Sequence, residues 1–155
     1  LGDKLQVNKS ISQGTVKHPH PLDMCRGRTH LHQLCLKGSV KEIMRYLEKM
    51  KKNEDNKDVN VKDENKFTPL HSAACLDVSR VGEGVAANIV KGLISIGASV
   101  SEKDATGSTA LHWAARAGNG DVVHLLTAHH SPINAVNKDN ETALHWGMRT
   151  GVRGL

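Results

Sequence analysis

Histidine and cysteine are the residues in this chain whose types and spacing could carry chemistry. There are ten histidines and three cysteines. His18, His20, Cys25, His30, His32 and Cys35 fall close together and are all zinc-ligand types, but the paired C-x2-C spacing of a structural zinc site is missing. His129-His130 reads as the end of a helix, where an imidazolium complements the dipole. Cys75 follows Ala73-Ala74 with no base beside it in sequence, and reads as a small buried residue rather than a nucleophile. Gly82-Glu83-Gly84 lacks the lysine and the strand-to-helix setting of a phosphate loop, and no nucleophile elbow, H-E-x-x-H, Walker or dinucleotide fingerprint occurs. The expectation is no catalytic residue, no metal and no cofactor, hence not an enzyme.

The elements that would position these residues must come from an unusual composition. Of 155 residues, 38% are hydrophobic and 24% charged, as in a folded soluble domain. Aromatics are only 3%, which favours an architecture of many small Ala, Leu and Val contacts over one large core. No apolar run reaches the ~18 residues of a membrane span. The odd, sparse cysteine set suits a reducing compartment. With no leader visible, the expected setting is intracellular, cytoplasmic or nuclear, within a longer chain. The net charge of +5 is uneven: residues 1–66 hold 14 Lys/Arg against 9 Asp/Glu, and residues 67–155 hold 7 against 7. Attraction for an anionic partner would come from the first part.

One phrase is written four times. Thr29-His30-Leu31-His32, Thr68-Pro69-Leu70-His71, Thr109-Ala110-Leu111-His112 and Thr142-Ala143-Leu144-His145 recur 39, 41 and 33 residues apart. Gly38, Gly118 and Gly151 lie nine residues after their Thr, where the second copy has Asp77. Val59, Val100 and Ile133 lie nine residues before a Thr, and Asp63 and Asp104 five before. Gly27 and Gly107 lie two before; Lys66 and Asn140 take that place in the other copies. Asn suits a position needing positive φ, whereas Lys does not.

Each unit predicts two helices. Thr is an N-cap and Pro69 suits a first helical residue, whose N–H has no helical partner. Leu111, Ala114 and Ala115 give a short helix with a small, close-packing face, and Gly118 ends it. In the second helices, Val122, Val123, Leu125 and Leu126 are placed for burial from two sides. Ser39-Val40-Lys41-Glu42 opens another as a capping box, with Val40, Ile43, Leu47 and Met50 on one face. No helix pair buries its face alone, so neighbours must stack.

These units resemble ankyrin repeats, most closely over Gly107-Ser108-Thr109-Ala110-Leu111-His112-Trp113-Ala114-Ala115-Arg116-Ala117-Gly118. The resemblance covers about residues 25–151 and implies an all-α solenoid of antiparallel helix pairs with projecting β-turn fingers. It implies repeats at 25–63, 64–104, 105–137 and a partial one at 138–155, after an irregular arm at 1–24 that could cap the first. Inserts fall near 49–58 and 77–84. The first reads as a solvated loop by its mixed charge.

The resemblance also assigns roles. Thr29, His32, Thr68, His71, Thr109, His112, Thr142 and His145 become structural, each His bonding the turn beside its Thr. Partners of this family are proteins or peptides, held by finger tips and first helices along a concave groove. The matching finger positions are Glu64, Asn65, Phe67, Thr106, Ser108, Lys138, Asp139 and Glu141, with Ala105 between them. On the first helices they are Leu36, Lys37, Cys75, Leu76, Arg116, Ala117, Arg149 and Thr150. Phe67, Arg116 and Arg149 are the expected anchors, since aromatics and Arg dominate interface energy. Trp113 and Trp146 are expected to pack between units. The expected function is a monomeric protein-interaction module of a regulatory or scaffold protein; the alternative is nucleic-acid association through the basic N-terminal part.

Overall fold

The computed structural model describes residues 27–52 and 58–150. The expected arm at 1–24, the heart of the first insert and Gly151 lie outside the described residues. Among the described residues there are eight helices and no strand. The first unit is α1 (His30–Lys37) and α2 (Val40–Lys52); the second is α3 (Pro69–Ala74), α4 (Val78–Val81) and α5 (Val85–Ser95). The third is α6 (Ala110–Ala117) and α7 (Gly120–Ala128), and α8 (Ala143–Arg149) opens the fourth.

The repeated phrase makes each first helix in the same way. Thr29, Thr68, Thr109 and Thr142 are N-caps with extended backbone, and each forms a reciprocal capping box with the His three residues on. Gly38 and Gly118 end α1 and α6 in the left-handed conformation at φ 74° and 75°. The second unit lacks that glycine: α3 stops at Cys75, and Asp77 instead caps α4 by accepting from the Ser79 N–H at 2.9 Å. Part of the second insert is therefore helical. Lys49–Lys52, at the start of the first insert, likewise extend α2.

First helices stack on first helices, α1 to α3 to α6 to α8, and second helices on second helices, α2 to α5 to α7. One continuous core runs between the rows. Leu31, Leu70 and Leu111, two residues after their Thr, are buried, as are Cys35, Ala74 and Ala115 four further on. Ile43 and Leu47 seal α2 against the stack, Ile89, Val90 and Leu93 seal α5, and Val122 and Leu126 seal α7. The same positions behave differently in the fourth unit. Leu144 is 61% exposed and Met148 73%, because no further unit is stacked on α8 among the described residues.

Backbone handedness repeats with equal regularity. Gly27, Lys66, Gly107 and Asn140, two residues before each Thr, have φ of 72°, 57°, 78° and 59°. The turn demands the left-handed region in every unit, including the one where the sequence supplies lysine.

Candidate interaction surface

The fingers are built by a buried acceptor five residues before Thr68, Thr109 and Thr142. Asp63 Oδ1 accepts from the N–H groups of Asn65 and Phe67, both at 2.9 Å. Asp104 Oδ1 accepts from Thr106 at 2.8 Å and Ser108 at 3.0 Å. Asn137 does the same for Asp139 and Glu141, both at 3.0 Å. Backbone bonds close each turn: Lys66 N–H to Asp63 O at 2.9 Å, Gly107 to Asp104 and Asn140 to Asn137 at 3.0 Å. A short side-chain acceptor is what lets the chain reverse without a sheet.

Successive fingers are then stitched together. The Ala105 N–H donates to the Asn65 carbonyl at 2.8 Å, and the Lys138 N–H to the Thr106 carbonyl at 2.9 Å. Close approach at this seam explains Gly107, since a Cβ there would lie 3.2 Å from the Lys138 nitrogen.

The repeat histidines bind one unit to the next. In each, Nδ1 accepts from the backbone N–H of its own Thr, at 3.2 Å for His32, 3.2 Å for His71 and 3.1 Å for His112. A ring nitrogen that accepts carries no proton, so Nε2 is the donor. It reaches the carbonyl before the next Thr: His32 to Phe67 at 2.7 Å, His71 to Ser108 at 3.2 Å, His112 to Glu141 at 3.0 Å. Burial lowers the pKa of all three below the ordinary histidine value and keeps them neutral. His145 makes the same bond to its Thr142 N–H, at 3.0 Å, with an exposed ring.

Several expected contact residues are elsewhere. Phe67 is 0% exposed, so it is not a surface anchor. Its ring packs edge-on against Trp113 at 5.2 Å and beside His71 at 5.0 Å, because the position before the Thr looks across the seam at the next unit's first helix. Ser108, its counterpart in the third unit, is buried too, with its hydroxyl 2.9 Å from that of Thr106 in the same finger. Leu76 is also buried, in the core beyond α3. Cys75 is half-buried, its thiol turned inward to donate to the Ser72 carbonyl at 3.1 Å, and burial pushes that thiol up to about 12. Cys35 is fully buried and raised too. Neither thiol is a thiolate at neutral pH.

The remaining candidates lie toward solvent. Glu64, Lys138 and Asp139 are exposed at the finger tips, Asn65 and Thr106 half-buried, and the Thr106 hydroxyl donates to Asp104 Oδ1 at 2.6 Å. Arg116 is half-buried, its guanidinium 5.4 Å from the Trp113 ring centre and 6.0 Å from that of Trp146. The two indoles meet edge to face at 5.3 Å, extending the Phe67 contact into a ladder of three aromatics across three units. Each indole N–H is answered: Trp113 by Asp104 Oδ2 and Trp146 by Glu141 Oε2, both at 2.8 Å. Glu141 also pairs with the exposed Arg149, so one carboxylate ties finger to helix. Asn137 is the structural residue that a search for aspartate at this offset passes over.

The second insert borders a groove of about 300 Å³ lined by Val78, Glu83, Ala86, Asn119 and Asp121. No nucleophile–base pair lines it. Among the described residues no three His, Cys, Asp or Glu side chains converge as a metal site, and no helix is long and apolar enough to cross a membrane.

Residues 81–153 match the family model for ankyrin repeats, in 3 copies. No curated protein matches the chain.

Proposed function

We propose, from the match of residues 81–153 to the ankyrin-repeat family, that this chain holds a protein or peptide partner along its finger tips and first-helix row. Ankyrin repeats are protein-interaction modules as a class, and the helical stack is of that kind. In this reading Glu64, Asn65, Thr106, Lys138 and Asp139 present the polar contacts, while Arg116, laid across two indoles, and Arg149, tied to Glu141, present fixed cations. Phe67 and Ser108 act beneath that surface, as its support.

The stitch between fingers is the observation that carries the reading. Backbone bonds from Ala105 to Asn65 and from Lys138 to Thr106 hold three tips in register before any partner arrives. A preorganised surface loses little ordering entropy on binding. The module performs no chemistry of its own and works as a monomer within a larger regulatory or scaffold protein, in cytoplasm or nucleus.

The test is affinity capture from nuclease-treated lysate, followed by direct binding of the captured protein in purified form. A Glu64→Lys/Asp139→Lys variant, equally helical by circular dichroism, should lose the partner. Equal binding by native and variant chains overturns the finger surface.

A further inference from the structure

We propose that the solvent face of α2 is a second docking surface, one that takes an acidic polypeptide segment with carboxylates recurring at every fourth residue. This extends protein binding to the second-helix row and does not depend on the finger surface.

Lys41, Arg45, Lys49 and Lys52 are all exposed. Spaced by four, four and three residues, they fall within about 80° of helical arc and span about 16 Å. Several cations elsewhere are paired: Lys37 with Glu42 at 3.1 Å, Lys62 with Glu102 at 2.6 Å, and Arg149 with Glu141. The four cations of the stripe have no carboxylate partner among the described residues. Glu42, which follows Lys41 within the stripe, is taken by Lys37. Helix α2 holds five Lys/Arg and two Glu, whereas the other described residues carry equal numbers of each sign. The net field of the described body therefore originates on this one helix.

Its chemistry selects among anions. Every exposed residue of α2 is charged, so the face has no aromatic to stack a base and no apolar side chain to enter a membrane. A nucleic-acid duplex carries a negative charge about every 1.7 Å, far denser than this stripe can answer. Glu48, exposed at the border of that arc, three residues from Arg45 and four from Lys52, would oppose an unbroken row of phosphates. A helical segment with Glu or Asp at i, i+4 and i+8 repeats every ~6 Å, the pitch of the stripe. A cation on that segment would meet Glu48.

The probe is a fluorescein-labelled helical peptide with Glu at every fourth position and one Lys set against Glu48, measured by anisotropy beside a charge-reversed peptide and a mixed-sequence DNA duplex. The acidic peptide should bind, and Lys41→Glu/Arg45→Glu should weaken it by about tenfold or more. Lys103→Glu/Lys138→Glu, an equal charge change at the fingers, should leave it unchanged. Glu48→Lys should weaken the peptide and tighten the duplex. The proposal is overturned if the native chain does not bind the peptide, if both double variants lose it equally, or if the duplex binds more tightly at physiological salt. Failure of the finger variants in lysate capture leaves these outcomes untouched.

Discussion

His71 Nε2 and the carbonyl oxygen of Ser108 lie 3.2 Å apart across the boundary between two units, 37 residues apart in sequence. The same ring accepts from Thr68 N–H through Nδ1. One neutral imidazole thus caps a helix and fastens the next unit, and protonation would place a second N–H against the Thr68 donor.

Stability should therefore fall in mild acid. His32, His71 and His112 have folded pKa values lowered from 6.5 by burial, so the unfolded chain takes up protons first. The contribution is complete above about pH 6.5 and is lost as pH drops toward the folded values. Each such proton steepens the decline by up to about 1.4 kcal/mol per pH unit. Urea unfolding midpoints at pH 7.5 and 5.5 check this, and equal midpoints would contradict it.

Lys66→Gly should stabilise the protein. Lys66 is held at φ 57° with its side chain exposed, and its N–H bond to Asp63 survives the change. Relief of left-handed strain, less the added freedom of the unfolded chain, leaves roughly 0.5–1 kcal/mol. Chemical denaturation would show a raised midpoint; an unchanged or lowered one counts against the strain.

Phe67→Ala should cost about 3–5 kcal/mol, because it empties a closed site between His71 and Trp113. Phe67→Leu should cost distinctly less. A loss below about 1 kcal/mol for the alanine variant would place the ring at the surface after all.

Leu144→Gln/Met148→Lys should change the unfolding midpoint little, within about 0.5 kcal/mol per site, since both side chains are largely exposed. The same change should lower binding of a hydrophobic dye such as ANS. A large loss of stability would mean that these residues are covered in solution.

Legibility differed by residue. Thr68 could be read at once, because a helix cap is local and its partners lie within four positions, whereas the role of His71 came only through the likeness to ankyrin repeats. The left-handed place of Lys66 was visible only through its counterparts Gly27, Gly107 and Asn140, since lysine itself argues against it. Phe67 could not be placed from its own neighbourhood: what buries it is Trp113, 46 residues away, and no local pattern records that meeting. Asn137 escaped because its Oδ1 does the work of an aspartate oxygen under another residue name. The cationic stripe of α2 was present in the charge count, but its lack of partners required the positions of Glu42 and Glu102.

The bonds from Ala105 to Asn65 and from Lys138 to Thr106 run in one direction, each later finger donating to the one before. Opening any finger in the middle must break two such bonds, whereas the last must break one. Amide protons of Ala105 and Lys138 then become clocks: a partner gripping the tips should slow the two together.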